Sequence, residues 1–178
     1  MDKKEELVHN SEVLTSRKIL KNIWAISIAF FLNFTSYGGL SKLQSSLHRD
    51  EGMGVINFSI IYACMIISSI MLPGILIAKL GHKWTVCLSF IGYIIWMAAN
   101  GYAVWGTMVT ASIILGLCAA PLWIAQSSYF TIIAKPYAEL EGISEDAAIT
   151  KFFGILFFLF QMCKFHFMQY IFNVSQQE

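Results

Sequence analysis

The chain has 178 residues, of which 57% are hydrophobic and 13% charged, with a formal net charge of +1 and a mean hydropathy of +0.62. Soluble domains carry roughly 25% charged residues, and neither Asp, Glu, Lys nor Arg occurs from Gly52 to Ala78 or from Trp84 to Ala134. A bilayer core about 30 Å thick needs about 20 apolar residues per helical span, so the composition excludes an ordinary soluble domain and predicts an all-α transmembrane protein with the lipid bilayer as its first partner. There is no basic tract dense enough for nucleic acid. Cys64, Cys87, Cys118 and Cys163 all fall inside apolar runs, without metal-ligand spacing; they read as reduced packing residues, and no cofactor is expected.

In chain order, residues 1–21 are polar and mixed in charge, and read as a mobile cytoplasmic tail. The first apolar run, Asn22 to Leu40, has a long polar stretch ahead of it and more spans behind it, so it reads as a retained signal-anchor helix rather than a cleaved leader. A polar connection, "SKLQSSLHRDEGMG", precedes the second run, Val55 to Ala78. A basic turn, Lys79 to Lys83, leads into the third run, Trp84 to Ala99. Asn-Gly is a strong turn signal, which places a tight turn at Asn100 to Gly106 before the fourth run, Thr107 to Ala134. Residues 22–134 are thus expected to form a four-span bundle, 135–151 a cytoplasmic loop, 152–172 a fifth, marginal hydrophobic segment and 173–178 a C-terminal tail. Lys164 falls in the middle of the fifth segment, where insertion scales put the cost of a lysine at roughly 2.5–3.5 kcal/mol.

Lys and Arg placement sets orientation. With the N-terminus cytoplasmic, Lys3, Lys4, Arg17, Lys18, Lys21, Lys79, Lys83, Lys135 and Lys151 collect inside and only Lys42 and Arg49 outside. Tyr37, Tyr102 and Trp105 then lie near the outer interface and Trp84 near the inner one.

Polar residues interrupt the spans. Asn33 and Tyr37 stand one turn apart in the first, and Gln126, Ser127 and Ser128 lie at membrane depth in the fourth. Such side chains face a bundle interior or a wet cavity. Interhelical hydrogen bonding, worth about 0.6 kcal/mol on average, is one reading; contact with a partner or a cavity through Asn33, Tyr37, Gln126 and Ser127 is the other. Gly116 and Ala120 form a small-xxx-small pair suited to close helix approach, and Pro121 predicts a kink.

"GILIAKLGHK", Gly74 to Lys83, has the outline of the loop between the second and third spans of major facilitator transporters, roughly G-x-x-x-D-R-x-G-R-K. Gly74 and Gly81 stand on the two glycines and Lys79, His82 and Lys83 on the basic positions. Ala78 stands where that loop has its acid, so the latch lacks its anion. A plain positive-inside turn accounts for Lys79 and Lys83 equally well. Three N-x-S/T sequons, at Asn33, Asn57 and Asn173, lie in or beside spans, and little glycosylation is expected. "YAEL", Tyr137 to Leu140, has the form read by endocytic adaptors, a form that also arises often by chance. His9, His48, His82 and His166 are scattered with no pair at helical metal-binding spacing, and neither a catalytic triad nor a phosphate loop is visible. An enzyme is not expected.

The stretches "FTSYGGLSKLQSSLHRDEGMGV" and "LGLCAAPLWIAQSSYFT", with "SSIMLPGILIAKLGHK" and "FFGILFFLFQ", resemble the Unc-93 family, over about Ile23 to Gln161. The resemblance implies a major-facilitator-like fold of helical bundles around a cleft, in a plasma or internal membrane. It implies an accessory or regulatory subunit of a potassium channel or of a receptor, with another polytopic membrane protein as partner and a location at the plasma membrane. A transporter scaffold that no longer transports would fit the degenerate gate loop. Members of the family are much longer, so the chain is expected to represent a truncated N-terminal part, and the tail after Gln161 does not look like the family. Two alternatives stand beside this reading: the N-terminal half of a secondary transporter, and a non-functional truncated product.

Overall fold

The computed structural model describes the backbone of residues 3–47, 52–102 and 104–175, and the side chains of residues 15–42, 52–102 and 104–162. Among the described residues the fold is all-helical: α1 (Lys3–Leu47), α2 (Met53–Ala99), a 3-10 turn (Asn100–Tyr102), α3 (Trp105–Glu141) and α4 (Glu145–Ser175). Among the described residues three segments are long and apolar enough to cross a membrane: Thr15–Lys42, Met53–Tyr102 and Trp105–Glu141. The chain divides into two compact units, Met1–Phe34 with Phe130–Glu178 and Thr35–Tyr129.

In the second unit, the decisive feature is the backbone of Gly81. Its φ of 77° and ψ of 167° interrupt α2, in a region that glycine enters without steric cost. An unbroken helix would hold Ser68 and Gly92 roughly 36 Å apart. Yet Ser68 Oγ donates to the carbonyl of Leu117 at 3.1 Å, while a Cβ on Gly92 would stand 2.5 Å from Sγ of Cys118, the next residue along α3. Likewise the rings of Phe58 and Trp96 have centroids 6.4 Å apart. So α2 folds back on itself: a first arm, 53–80, and a second arm, 82–99, lie antiparallel. Thr85 Oγ1 donates to the Gly81 carbonyl at 2.8 Å and closes the entrance to the second arm. The basic turn expected at 79–83 is therefore present, narrowed to one residue.

Both arms pack on α3 with little side-chain bulk between them. A Cβ added to Gly116 would come within 2.6 Å of both the Ile61 carbonyl oxygen and Cys64 Cβ. This is the close approach expected of the small residue at 116. Pro121 lies in the same stretch of α3, which continues through it as helix. A proline has no N–H, so the carbonyl four residues earlier, that of Leu117, lacks its helical donor. The Ser68 hydroxyl supplies that donor from the neighbouring arm.

The side-chain distribution of the hairpin is inverted relative to a soluble protein. Asn57, Ser68, Thr85 and Ser89 are buried, whereas Val55, Ile66, Ile67, Ile70 and Met71 are between 65% and 79% exposed. A continuous aliphatic surface of this kind is rare on soluble monomers and suits hydrocarbon as solvent.

The other unit corrects two expectations. Residues 3–21, read as a mobile tail, are helical and continuous with the first apolar run. They contain neither Gly nor Pro and are rich in Lys, Glu and Leu, all good helix formers. The polar stretch 135–151, read as a loop, is helix on both sides of a short turn. There Gly142 has φ 65° and the Ile143 N–H bonds the Ala138 carbonyl at 3.1 Å, the 6→1 bond of a Schellman cap. Ser144 Oγ then accepts from the Ala147 N–H at 3.3 Å, capping α4, and Glu145 and Asp146 occupy its first turn. Tyr137 is 2% exposed and packs on Phe152 at 5.1 Å, with its hydroxyl 2.6 Å from Lys151 Nζ. A buried helical tyrosine cannot be presented to an adaptor, which removes the "YAEL" reading. In the same unit Ser16 Oγ donates to Glu141 Oε1. The backbone of α4 is helical to Ser175; the side chains of Cys163, Lys164 and His166 lie outside the described residues.

Two outcomes follow from the packing around α3. Replacing Gly116→Ala puts a methyl where no space exists, and unfolding measurements in detergent should show a loss of about 1–3 kcal/mol. Ser68→Ala should cost about 0.6 kcal/mol in the natural background and close to nothing beside Pro121→Ala, where residue 121 again donates to Leu117. Equal costs in both backgrounds would show that Ser68 does not compensate for the proline.

Candidate functional site

The residues singled out in the sequence fall into two groups. The first is the basic turn. Gly74, Ala78 and Lys79 are exposed, and Gly81 is half-buried at the reversal. His82 and Lys83 turn back onto α3. His82 Nε2 and Ser128 Oγ are 2.9 Å apart, with the donor set by the imidazole tautomer. Lys83 Nζ stands 5.6 Å from the centroid of Tyr129, a cation–π distance worth about 0.5–1 kcal/mol at an exposed site. The turn is thus fastened to α3 by a histidine–serine hydrogen bond and an aromatic face.

The second group is polar side chains at membrane depth. Gln126 is fully buried, and its Nε2 has no hydrogen-bond partner among the described residues. Ser127 Oγ donates to Gln126 Oε1 at a long 3.5 Å. Tyr37 packs edge-on against Tyr93 with centroids 5.6 Å apart and lies 5.1 Å from Trp96. Asn33 belongs to the other unit; it is 9% exposed, and its Nδ2 is unpartnered among the described residues. The structure therefore joins Gln126 to Ser127, and joins the basic turn to Ser128 and Tyr129, but distributes Asn33 and Tyr37 between different units.

Sequence reasoning missed Asn57, Trp96 and Ser112. All three are fully buried, and Asn57 Nδ2 and Oδ1, Trp96 Nε1 and Ser112 Oγ have no partner among the described residues. Asn57 had been read only as a sequon, and its burial leaves it inaccessible to a glycosyl transferase. The available signal was helical spacing: Asn57 shares a face with Ile61 and Ser68 rather than with the exposed aliphatics. No group of His, Cys, Asp and Glu that could hold a metal ion occurs among the described residues.

A family model described as "Ion channel regulatory protein UNC-93" matches residues 48–176. The chain belongs to the UNC-93 family. It is 46% identical over 142 residues to human protein unc-93 homolog A, covering 80% of this chain and 31% of that protein. It is 45% identical over 144 residues to the Xenopus laevis homolog A, covering 81% and 31%. The Caenorhabditis elegans "putative potassium channel regulatory protein unc-93" is 32% identical over 161 residues, covering 88% of this chain and 23% of that protein. The UNC-93 chain thus spans about a third or less of the length of these curated relatives. No solved structure matches it.

In this UNC-93 chain the His82–Ser128 contact can be measured by a double-mutant cycle. His82→Ala, Ser128→Ala and the double variant, unfolded in detergent, should give a coupling of about 0.5–1.5 kcal/mol. Strict additivity would mean that the two side chains do not meet.

Proposed function

We propose that this UNC-93 chain is part of a multi-pass, non-enzymatic membrane protein that acts as an accessory or regulatory subunit of a potassium channel or, alternatively within the same class, of a receptor. The observation that carries the reading is the family match over residues 48–176, described as an ion channel regulatory protein, with a worm relative named a putative potassium channel regulatory protein. Unused hydrogen-bonding capacity within a bilayer is costly; Gln126, fully buried with an unused Nε2 donor, is an interior contact in this proposal and shapes the surface a partner meets rather than touching it. Asn33, Tyr37 and Ser127 are the other partner or cavity contacts in this proposal.

The chain crosses the membrane four times in this reading, α1 once, each arm of α2 once and α3 once, with the apolar part of α4 a marginal fifth segment, as the first part of a major-facilitator-like bundle. The N-terminus, the Gly81 reversal and the Gly142 turn are cytoplasmic, and the Asn100–Tyr102 turn faces outward at the plasma membrane. The second arm of α2 is short for a span, with Trp84 at its inner end and Trp105 just beyond its outer end, both exposed and suited to the interfaces. A second reading, a transporter half, is favoured only by the fastening of the gate-like turn onto α3; in it, Gly74, Ala78, Lys79, Gly81, His82 and Lys83 would form a gate.

The test is mild-detergent co-purification of the tagged full-length protein and of this chain. Gln126→Leu should reduce recovery of a potassium-channel subunit several-fold while leaving membrane insertion intact. Unchanged recovery overturns the assignment of Gln126. A solute-uptake defect from Lys83→Ala in the full-length protein, with channel recovery unaffected, would favour the transporter reading instead.

A further inference from the structure

The tight glycine contacts of the second unit lie at one level of the three helical segments. On the first arm of α2 it is Ile61, against Gly116 of α3; on the second arm it is Gly92, against Cys118 of α3. The second arm runs antiparallel to α3, because His82 meets Ser128 and Gly92 meets Cys118. It also runs antiparallel to the first arm, because Phe58 meets Trp96. The first arm and α3 are therefore parallel. One turn away from the tight level, in the same direction and on the same faces, stand Asn57 (four before Ile61), Ser112 (four before Gly116) and Trp96 (four after Gly92). Residues four apart on a helix share a face. All three are fully buried, and none of the four polar atoms at this level, Asn57 Nδ2 and Oδ1, Trp96 Nε1 and Ser112 Oγ, has a partner among the described residues.

We propose that Asn57, Trp96 and Ser112 form a buried site that binds ordered water, one helical turn from the small-residue contacts. The chemistry is suited to water. The indole N–H is a donor only, the serine hydroxyl can donate or accept, and the amide offers both functions. A buried water makes 2–4 hydrogen bonds, a number these groups supply. Burying such groups without a partner is costly, so a level carrying three of them is stable only if something hydrogen-bonds there. The glycines at 92 and 116 bring the backbones together at the neighbouring level. The bulky indole of Trp96, with Phe58 and Tyr37 packed on it, occupies this one. The inference does not depend on which partner the whole protein regulates.

The experiment is radiolytic hydroxyl-radical footprinting of the intact chain in nanodiscs, which oxidises side chains adjacent to bound water. Each rate is normalised to that of the same residue in SDS-unfolded protein. Trp96 should oxidise several-fold faster than Phe130 and Phe152, which are equally buried but lie in an aromatic cluster. Asn57→Leu with Ser112→Ala should bring Trp96 down to their level while exposed Trp24 is unchanged. Ser112→Ala alone, which removes only a hydroxyl, should move Trp96 in the same direction and covers the case in which the double variant fails to fold. Protection of Trp96 equal to that of Phe130, or labelling that Ser112→Ala leaves unaltered, overturns the site.

Discussion

A single left-handed residue, Gly81, governs the second unit. With φ 77° it converts what would be a 47-residue rod into two arms that can both lie along α3. Every contact that defines this unit is a consequence: Ser68 on Leu117, Gly92 against Cys118, Phe58 beside Trp96, and His82 and Lys83 on Ser128 and Tyr129. A residue with a Cβ at 81 would meet backbone strain of the kind that costs about 1–3 kcal/mol, though nothing crowds the position from outside. The cost there is conformational, not steric packing, which separates Gly81 from Gly92 and Gly116.

Once folded back, the segments face a problem specific to hydrocarbon. The hydrophobic effect does not hold helices together there, and cohesion must come from close packing and interhelical hydrogen bonds. Gly92 and Gly116 supply the first. Ser68 supplies the second at a place where α3 itself cannot, the carbonyl released by Pro121. Proline in the middle of a buried helix and serine in the middle of another are each unfavourable alone; paired, each answers the need of the other.

Much of the coarse organisation was legible in the sequence because it depends on composition: charge-free runs, an Asn-Gly turn, a basic reversal, and a glycine where α3 is approached most closely. What was not legible depends on contacts or on caps. Residues 135–151 look polar, and polarity suggested a loop, although "GISED" carries both a left-handed glycine stop and a serine N-cap. Composition outweighed capping in the reading, and the helices extend where propensity and caps direct them. The same error hid the helix at 3–21. At the candidate site, Gln126 and the basic turn stood out because polar residues are rare in their runs, whereas Asn57 was masked by its sequon and Trp96 by the ordinary role of tryptophan at membrane interfaces. Only burial reveals that Trp96 is an interior residue. Nor could spacing alone have shown that Asn33 and Tyr37, neighbours on one helix, belong to different units.

The basic turn shows how an outline can survive the loss of its central charge. In the transporter-like pattern, an acid at position 78 would be the anion for the neighbouring cations. Here Ala78 is exposed, Lys83 lies over Tyr129 and His82 meets Ser128. An ammonium over an aromatic face needs no carboxylate, and a histidine–serine bond needs no net charge on either side. Both contacts are made to consecutive residues of α3, so the reversal is held from the side rather than through its own loop. A latch built this way pairs no two opposite charges, so it does not depend on the ion-pair attraction that salt screens over a Debye length. It holds the two arms against α3 without requiring the alternating charge pairing on which a working gate would depend.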